Sequence, residues 1–317
     1  VTPLRRASSL QRSTSSVTVI DSADIERWAA PDLQSLLKSY SGISIKTNGG
    51  QGSSSDIYMR GMSSKQTVVL INGVRTASAT TGATALANIP LSSIDRVEIA
   101  KGSHSAQYGA DAMGGVINII TKQGGACGER SWCGSLSTGV SHPWGGYASG
   151  TIQGRSNDGV DYAFGAAITG TQGYDFTTSD AYGHEPDRDG FLQGSFNFAL
   201  SKDFDWGKIY ADGLLSRGRN QYDAKAPSPN QADSTAFTGK IGTRIDHTAD
   251  WSSTLEFSTG IDNSRNFRKD VSGSDRFETK RYGVFASTEK SFDPGTVNHT
   301  VTAGVEAYRE EINTTVA

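Results

Sequence analysis

From Trp132 onward, apolar and polar residues alternate along the chain, and this pattern restricts the possible folds more than any other feature of the sequence. An alternation with a period of two predicts β-strands that have one apolar and one polar face. In the segment FLQGSFNFALS one face would carry Leu192, Gly194, Phe196, Phe198 and Leu200, and the other would carry Gln193, Ser195, Asn197, Ala199 and Ser201. Similar segments recur to the end of the chain, so we expect about nine strands of the length found in membrane barrels.

The connections between these segments alternate in length. RSNDG, SKDFDWGK, DHTADW and DPGTVN are short, whereas residues 171–189, 217–235 and 262–280 form long connections. Outer-membrane barrels have short periplasmic turns and long extracellular loops, so the pattern predicts an antiparallel membrane β-barrel. A soluble β-sandwich is the alternative, but it gives no reason for the alternation in length. Because single-chain bacterial barrels have an even number of strands, we expect further strands after Ala317.

Residues 1–125 follow a different pattern, which predicts a separate mixed α/β domain before the barrel segment of residues 126–317. DSADIERW predicts a capped helical turn, and a second helix is expected to begin after Pro31 and Asp32 and to stop at Gly42. Strands are expected at residues 43–46, 56–60, 67–71, 94–99 and 116–121. The last of these strands ends the segment YGADAMGGVINIITK. Its paired glycines, Gly114 and Gly115, predict a tight bend or a close approach of backbone before a strand buried on both faces.

Four segments of this first domain resemble, in order and spacing, the plug motifs of TonB-dependent outer-membrane receptors. They are IYMRG, VVLINGVR, IDRVEIAKG and YGADAMGGVINIITK. The resemblance implies a plug inside the lumen of a barrel of about 22 strands, of which this chain holds about nine. It also implies active transport without bond chemistry, a bacterial outer-membrane location surrounded by lipid, a monomer, and TonB as the periplasmic partner. The segment that contacts TonB would precede this sequence or survive only as Val1 and Thr2.

Within that family the likeness is greatest to the cobalamin (vitamin B12) transporters. It is carried by DIERW, NGGQGSSSDIYMRG, GYD, YDA and DGFL, and it implies transport of cobalamin or a related corrinoid. A ferric siderophore or another metal chelate is the alternative cargo, and a β-rich surface adhesin is the alternative class of protein. Asn72 stands where the family usually has Asp, and Lys101 where it usually has Arg. Arg60 and Lys101 match plug positions that pair with barrel carboxylates, so the resemblance implies a plug–barrel lock at these two residues.

Acidic residues concentrate in two of the long connections. EPDRDG has part of the spacing of an EF-hand loop, but its twelfth position is Phe196 and no helices flank it. It is therefore not an EF-hand. Oxygen ligands from two neighbouring loops nevertheless suit Ca²⁺, and the alternative is solvated surface charge. The resemblance implies calcium that orders the ligand loops at matching aspartates, with Tyr222 beside them: Asp175, Asp187, Asp189, Asp223 and Asp233.

Two polar loops of the plug are candidates for the ligand-binding floor. Their side chains are neutral hydrogen-bonding groups, which suit the amide-rich rim of a corrin, whereas a ferric siderophore site would more often present Arg, Tyr or His. The candidates are Asn48, Gln51, Ser53, Ser54 and Ser55 in one loop, and Thr80, Thr81 and Thr84 in the other. Flexible linkers without a binding role are the alternative for both loops.

The two cysteines, Cys127 and Cys133, lie close together without histidines, so they do not provide the four ligands of a zinc site. In an exported protein we expect a disulfide; in a reducing compartment they would be free thiols.

The five histidines form no HExxH pair, and no Gly-x-Ser-x-Gly motif is present, so we expect no catalytic residues and no enzyme activity. A net charge of −3 argues against a nucleic-acid partner.

Overall fold

The computed structural model describes residues 16–28, 30–47, 49–76, 78, 86–142, 144–268, 271–292 and 299–316. The first part of the chain forms the plug, a mixed domain of three short helices and seven strands. The helices are α1 (Ser22–Trp28), α2 (Leu33–Lys38) and α3 (Ser105–Tyr108). The strands are β1 (Ser16–Asp21), β2 (Ile43–Thr47), β3 (Ser55–Met59), β4 (Thr67–Ile71), β5 (Val74–Arg75), β6 (Ile94–Lys101) and β7 (Gly115–Thr121).

The expected plug elements are present, and β1 and β5 are additional strands that the sequence pattern did not predict. Helix α2 begins after Asp32, whose carboxylate accepts a hydrogen bond of 2.7 Å from the backbone N–H of Ser35, as an N-cap does. Five strands form one sheet in the order β1–β6–β7–β4–β5, and β2 pairs with β3 separately. Strand β7 is central in the sheet and buried along its whole length, which confirms the prediction for this segment.

Nine antiparallel strands follow, and each pairs with its neighbours in the chain. They are β8 (Trp132–Ser141), β9 (Gly145–Arg155), β10 (Val160–Thr171), β11 (Phe191–Phe204), β12 (Gly207–Gln221), β13 (Gln231–Thr248), β14 (Trp251–Phe267), β15 (Ser274–Phe292) and β16 (His299–Thr315). Within the described residues this sheet is open, with β8 and β16 at its two edges. The predicted faces are confirmed in β11, where Leu192 is 57% exposed on the outer face and Gln193 is 3% exposed on the plug-facing side.

Two of the three long connections are shorter than the sequence predicted because strands extend into them, whereas the connection between β10 and β11 has its expected length. The expected connection of residues 217–235 is reduced to residues 222–230, because β12 continues to Gln221 and β13 begins at Gln231. Polar residues occupy both faces of these outer strand ends, so the alternation that reveals a strand in the sequence disappears there. The outer ends of β12 and β13 are therefore recognised by their pairing with each other and not by a hydrophobic pattern.

Aromatic side chains collect at the opposite end of the sheet, next to the short turns. Trp132, Phe204, Trp206, Trp251 and Phe292 are all exposed, and Phe204 stacks on Trp206 with ring centroids 5.2 Å apart. Such a girdle marks the level of a membrane–water interface. It places the short turns at one interface and the long loops beyond the other.

Cys127 and Cys133 form a disulfide, as expected for an exported protein. The bridge lies where the chain leaves the plug and enters β8.

The described helices are all short, and none has the length and apolar character that crossing a bilayer requires.

Candidate cation site and ligand loops

Two of the long loops meet at the outer end of the barrel. The first loop comprises residues 172–190, between β10 and β11, and the second comprises residues 222–230, between β12 and β13. Gly173 has a φ of +66°, and a β-carbon at this position would overlap the carbonyl oxygen of Asp189. Only glycine therefore lets the start of the first loop close over its end. A β-carbon on Gly183 would lie 2.8 Å from the backbone nitrogen of Lys225, so the two loops are in close contact.

A group of three carboxylates lies where these loops meet. Asp187 and Asp189 come from the first loop and Asp223 from the second, and one oxygen of each lies within 4.8 Å of the others. Burial, followed by the nearby Asp223 carboxylate, raises the pKa of Asp189 to about 6. Burial and the charges of Glu185, Asp223 and Asp175 also raise the pKa of Asp187. The three carboxylates therefore concentrate negative charge where the two loops meet.

Asp175 belongs to a second group that also uses Asp223. Its other member is His184, and the three ligand atoms again lie within 4.8 Å of one another. Four of the five aspartates expected to share calcium, Asp175, Asp187, Asp189 and Asp223, are thus brought together by the fold. His184 was not expected at this position.

Asp233 does not belong to either group in this structure, unlike the other four aspartates expected to share calcium. It lies inside β13, and its two carboxylate oxygens accept hydrogen bonds of 2.6 and 2.8 Å from the Arg219 guanidinium on β12. The register pairs these two residues across the strands.

Tyr222 begins the second loop, and its backbone nitrogen donates to the carbonyl of Asn230. Burial raises the pKa of the Tyr222 phenol, with Asp275 as the next contributor.

Arg268 fastens both loops to the end of β14, which the sequence alone did not reveal. Its guanidinium donates to Glu185 at 2.6 Å in the first loop. In the second loop it donates to the carbonyl of Ser228 at 2.7 Å and to that of Ala224. The hydrogen bond from Arg268 holds the pKa of Glu185 below its usual range, and Asn230 donates a further hydrogen bond to the same carboxylate. Arg268 and Glu185 are 83 positions apart, so no local motif could have indicated the pair.

The plug loop that precedes β3 lies against the wall below these loops. A β-carbon on Gly52 would overlap the ring of Phe191, and one on Gly50 would lie 3.7 Å from the ring of Phe176 in the first loop. Gln51 is half-buried and Ser54 is exposed, which leaves both accessible. Ser53 and Ser55 are only 4% and 2% exposed, so they do not face a ligand in this structure, contrary to expectation. The other candidates, Asn48, Thr80, Thr81 and Thr84, lie outside the described residues, as do Val1 and Thr2.

The expected plug–barrel lock is not formed by the part of the chain that the structure describes. No described carboxylate lies within 4 Å of the charged nitrogens of Arg60 or Lys101. Arg60 instead has its guanidinium near Gly102, so the two basic residues lie in one region of the plug. The resolved contacts between plug and wall are elsewhere. Asn72 donates to Asp212 at 2.6 Å, Gln193 donates to the carbonyl of Ala87 at 2.7 Å, and Ser234 donates to Asn88 at 3.1 Å.

The residues of the three-carboxylate group suit a hard cation such as Ca²⁺. The Asp223 side chain is 3% exposed, and its Oδ1 has no hydrogen-bond partner among the described residues. A buried oxygen of this kind is normally satisfied. Asp187 and Asp189 supply further oxygens, and the backbone N–H of Phe176 donates to Asp189 at 3.2 Å and orients it. Calcium accepts carboxylate oxygens in flexible geometry, so these three residues could hold it.

Comparison with known proteins agrees with this architecture. Residues 9–116 match the family model described as the TonB-dependent receptor plug domain. The chain is 30% identical, over 303 residues, to the vitamin B12 transporter BtuB of Photobacterium profundum. The match covers 94% of this chain and 48% of that relative. The chain therefore spans about half the length of this curated relative.

Solved structures of similar fold include the ferric enterobactin receptor PfeA of Pseudomonas aeruginosa, with a TM-score of 0.75 and 19% identity. The siderophore receptor PirA of Acinetobacter baumannii has a TM-score of 0.76 and 19% identity. The ferric yersiniabactin uptake receptor FyuA of Yersinia pestis has a TM-score of 0.71 and 18% identity. Each match covers 95% of this chain and about half of the other protein, and at these identities it shows a shared fold alone.

Proposed function

This chain belongs to the TonB-dependent receptor family of the bacterial outer membrane, and we propose that its protein carries cobalamin or a related corrinoid across that membrane. Uptake would draw energy from TonB in the periplasm. The relatives are receptors and transporters, and the proposed activity is likewise transport, in which no bond of the cargo is made or broken.

The observation that carries the proposal is the meeting of two acidic loops over the plug loop. Asp187, Asp189 and Asp223 join the first and second loops, and Gly50 and Gly52 of the plug lie against aromatic residues of the same region. On this plug loop Gln51 is half-buried and Ser54 is exposed, so both neutral polar residues are accessible. A neutral floor suits the amide-bearing rim of a corrin. The 30% identity to a vitamin B12 transporter supports the same cargo.

In this proposal the loops and the plug act in sequence. Calcium, when bound, supplies positive charge that offsets the repulsion among the carboxylates. Asp187, Asp189 and Asp223 would hold the ion and so keep the two loops together before cargo arrives. Cargo then meets an ordered surface and does not bear the free-energy cost of ordering it. Force transmitted through TonB would later move the plug away from the wall.

Equilibrium binding of cyanocobalamin to the full-length protein, in detergent and with calcium present, tests the proposal. We expect saturable binding that a ferric catecholate siderophore does not displace. Gln51→Ala should weaken binding about two- to tenfold, because one hydrogen bond to the cargo is lost. Gln107→Ala, an amide removed from elsewhere on the plug surface, is the matched control and should bind as the unmodified protein does. Binding of the siderophore without binding of cyanocobalamin would replace the proposed cargo with the alternative one.

A further inference from the structure

The outer face of the barrel wall changes from apolar to basic as the strands approach the long loops. Side chains on this face form rows across the paired strands, because residues that lie opposite one another share a face of the sheet. One such row joins Leu215 of β12, Phe237 of β13 and Ile261 of β14. It is the last row on these three strands in which every side chain is apolar.

This row marks the outer edge of the band that faces the lipid. Along the outer face of β13 the band runs from Phe237 to Ile245, near the short turn. Strands rise about 3.4 Å per residue and tilt by about 40° in such barrels, so the band is about 21 Å tall. That height is close to the apolar height of roughly 25 Å in outer-membrane barrels. Residues beyond the row therefore lie at the level of the polar headgroups.

The basic row lies beyond this edge, toward the long loops. It consists of residues that the strand register places side by side, namely Arg219 of β12, Asp233 of β13, Arg265 of β14 and Arg276 of β15. The Arg219 and Arg276 side chains are each 53% exposed, and Arg265 is exposed as well. Three arginines and one aspartate thus form one row across four strands, at the outer surface of the wall.

The protein supplies too few carboxylates to pair with these arginines. Asp233 is already used, because both of its oxygens accept hydrogen bonds from Arg219. Arg217 lies on the same face of β12, between Arg219 and the apolar row. Neither Arg217 nor Arg265 forms an ion pair with a carboxylate in the part of the chain that the structure describes. Unpaired guanidinium groups beside an apolar band favour an anionic partner from the membrane.

The end of β15 adds to the excess of positive charge. Glu278 is shared between Arg276, at 3.3 Å, and Lys280, at 3.4 Å. Lys280 lies opposite Ile261, at the edge of the apolar band. From this edge outward, the outer face of the four strand ends therefore carries five basic residues and two acidic ones.

Phe267 holds two of the arginines in place. Its ring lies one row farther out on β14, 5.5 Å from the Arg219 guanidinium and 5.4 Å from that of Arg265. A guanidinium that packs on a ring keeps the N–H donors at its edge available to an anion. The arginine row is therefore partly preorganised for binding.

We propose that this basic surface, formed by Arg217, Arg219, Arg265, Arg276 and Lys280, binds the phosphate groups of an anionic lipid in the outer leaflet of the membrane. Guanidinium groups bind phosphate oxygens in bidentate geometry, and headgroup phosphates lie at the level of this row. The acyl chains of the same lipid would cover the apolar band beside it, so one lipid satisfies both parts of the surface. The site lies outside the barrel lumen and is independent of the proposed cargo.

Native mass spectrometry of the delipidated full-length protein in detergent measures lipid binding directly. The probe is diphosphoryl lipid A, which bears two phosphate groups, and phosphatidylcholine is the lipid without net charge. We expect saturable binding of diphosphoryl lipid A and no comparable binding of phosphatidylcholine. Arg217→Gln combined with Arg265→Gln should weaken the binding of lipid A at least about tenfold, because two phosphate-binding groups are lost. Folding should tolerate both changes, because neither arginine pairs with a described carboxylate.

Lys202→Gln combined with Lys290→Gln is the matched control. It removes the same charge from the same outer face, but at the short-turn end of β11 and β15. There the two lysines lie over the exposed rings of Phe204 and Trp251. Binding of lipid A should change less than about twofold in this variant. Millimolar inorganic phosphate should not displace the lipid from the unmodified protein.

Equal losses in the two variants would overturn the site, because they would indicate a general attraction between basic side chains and an anionic lipid. Displacement by inorganic phosphate would also overturn it, because the surface would then recognise a free anion instead of a lipid. Cyanocobalamin binding should be equal in all three proteins. A protein that fails to bind cyanocobalamin, but binds lipid A in a manner that depends on Arg217 and Arg265, would contradict the proposed cargo and still support this surface.

Discussion

Asn72 lies where the plug meets the barrel wall. It is 7% exposed, and its side-chain amide donates to Asp212 of β12 at 2.6 Å and to Thr121 at 2.8 Å. Its carbonyl oxygen accepts a hydrogen bond from the backbone N–H of Thr121. The resemblance places aspartate at this position in most of the family, and a second carboxylate beside Asp212 would be repulsive. The neutral amide of Asn72 therefore hydrogen-bonds the Asp212 carboxylate of the wall without repelling it.

Asn72→Asp is expected to loosen the contact between plug and wall by about 2 kcal/mol or more, because it buries two facing carboxylates. The left-handed backbone at residue 72, with a φ of 50°, tolerates Asp as well as Asn, so backbone strain is not the cause. Thermal unfolding of the full-length protein, with hydrogen exchange of β4 and β7, measures the effect.

Asp212→Asn is the matched partner for a double-mutant cycle. Added to Asn72→Asp, it restores one amide–carboxylate pair with the roles exchanged, and it should recover most of the loss. Additive losses in the double variant would show that the Asn72–Asp212 contact does not carry the effect.

At the scale of elements, Gly114 and Gly115 at the start of β7 lie where the neighbouring strands leave no room for a side chain. A β-carbon on Gly115 would overlap the sulfur of Met59 and lie 2.5 Å from the carbonyl oxygen of Ala100. One on Gly114 would lie 3.0 Å from the carbonyl oxygen of Gln66. The pair therefore lets β7 enter between β6 and β4 at a distance that no side chain permits.

Gly115→Ala should destabilise the plug by about 2 to 4 kcal/mol, the cost of overpacking added to that of an unfavourable backbone conformation. Gly125→Ala is a close control. Gly125 has a φ of +149° against +152° for Gly115, but nothing described lies within 4 Å of its β-carbon position. It should cost only about 1 kcal/mol. Equal losses, measured by unfolding of the full-length protein, would assign the effect to backbone conformation instead of packing.

Arg268 joins the end of β14 to the first and second loops, so its loss should mobilise both of them. Arg268→Gln removes the hydrogen bonds to Glu185, Ser228 and Ala224 and leaves Glu185 without its buried cation. Hydrogen exchange in residues 222–230 should accelerate about tenfold or more. Arg265→Gln changes an exposed arginine three residues earlier and should leave exchange in that loop unchanged. Unaltered protection in Arg268→Gln would show that the loops are held by other contacts.

Element type was predictable from the sequence, whereas long-range pairing was not. The period-two pattern identified the barrel strands, and Asp32 identified the start of α2, because both signals lie within a few residues. The outer strand ends lack that pattern, so Asp233 was assigned to a loop although it pairs with Arg219 across β12 and β13. His184 and Arg268 were missed because their roles depend on which loops meet in space.

At the scale of the whole molecule, the plug carries its own hydrophobic core. The largest buried apolar cluster among the described residues is built from plug side chains, and Leu214 is the only member from the wall. The wall faces the plug mainly with polar residues such as Gln193, Asn197, Asp212, Ser216 and Asn220. Water can replace polar contacts at a modest net cost, whereas exposing an apolar core is expensive. The plug can therefore move as a folded unit, which suits the transport proposed for the full protein.

The expected coupling between calcium binding and cargo binding also involves the whole molecule. Chelation in metal-free buffer should leave Asp187, Asp189 and Asp223 repelling one another and mobilise the first and second loops. Cyanocobalamin would then bear the cost of ordering them, and its affinity should fall roughly tenfold, the effect of a coupling of 1 to 3 kcal/mol. Adding back Ca²⁺ alone should restore it.

Asp187→Asn combined with Asp223→Asn should bind cyanocobalamin as weakly as the chelated protein, with or without calcium, while the barrel stays folded. Asp180→Asn is the matched control, since it removes a charge from the same loop outside both cation groups, and it should retain the full response to calcium. Binding curves that superimpose with and without chelator would exclude calcium as the ion that orders these loops. Transport would then have to rely on loops held by direct contacts such as that between Arg268 and Glu185.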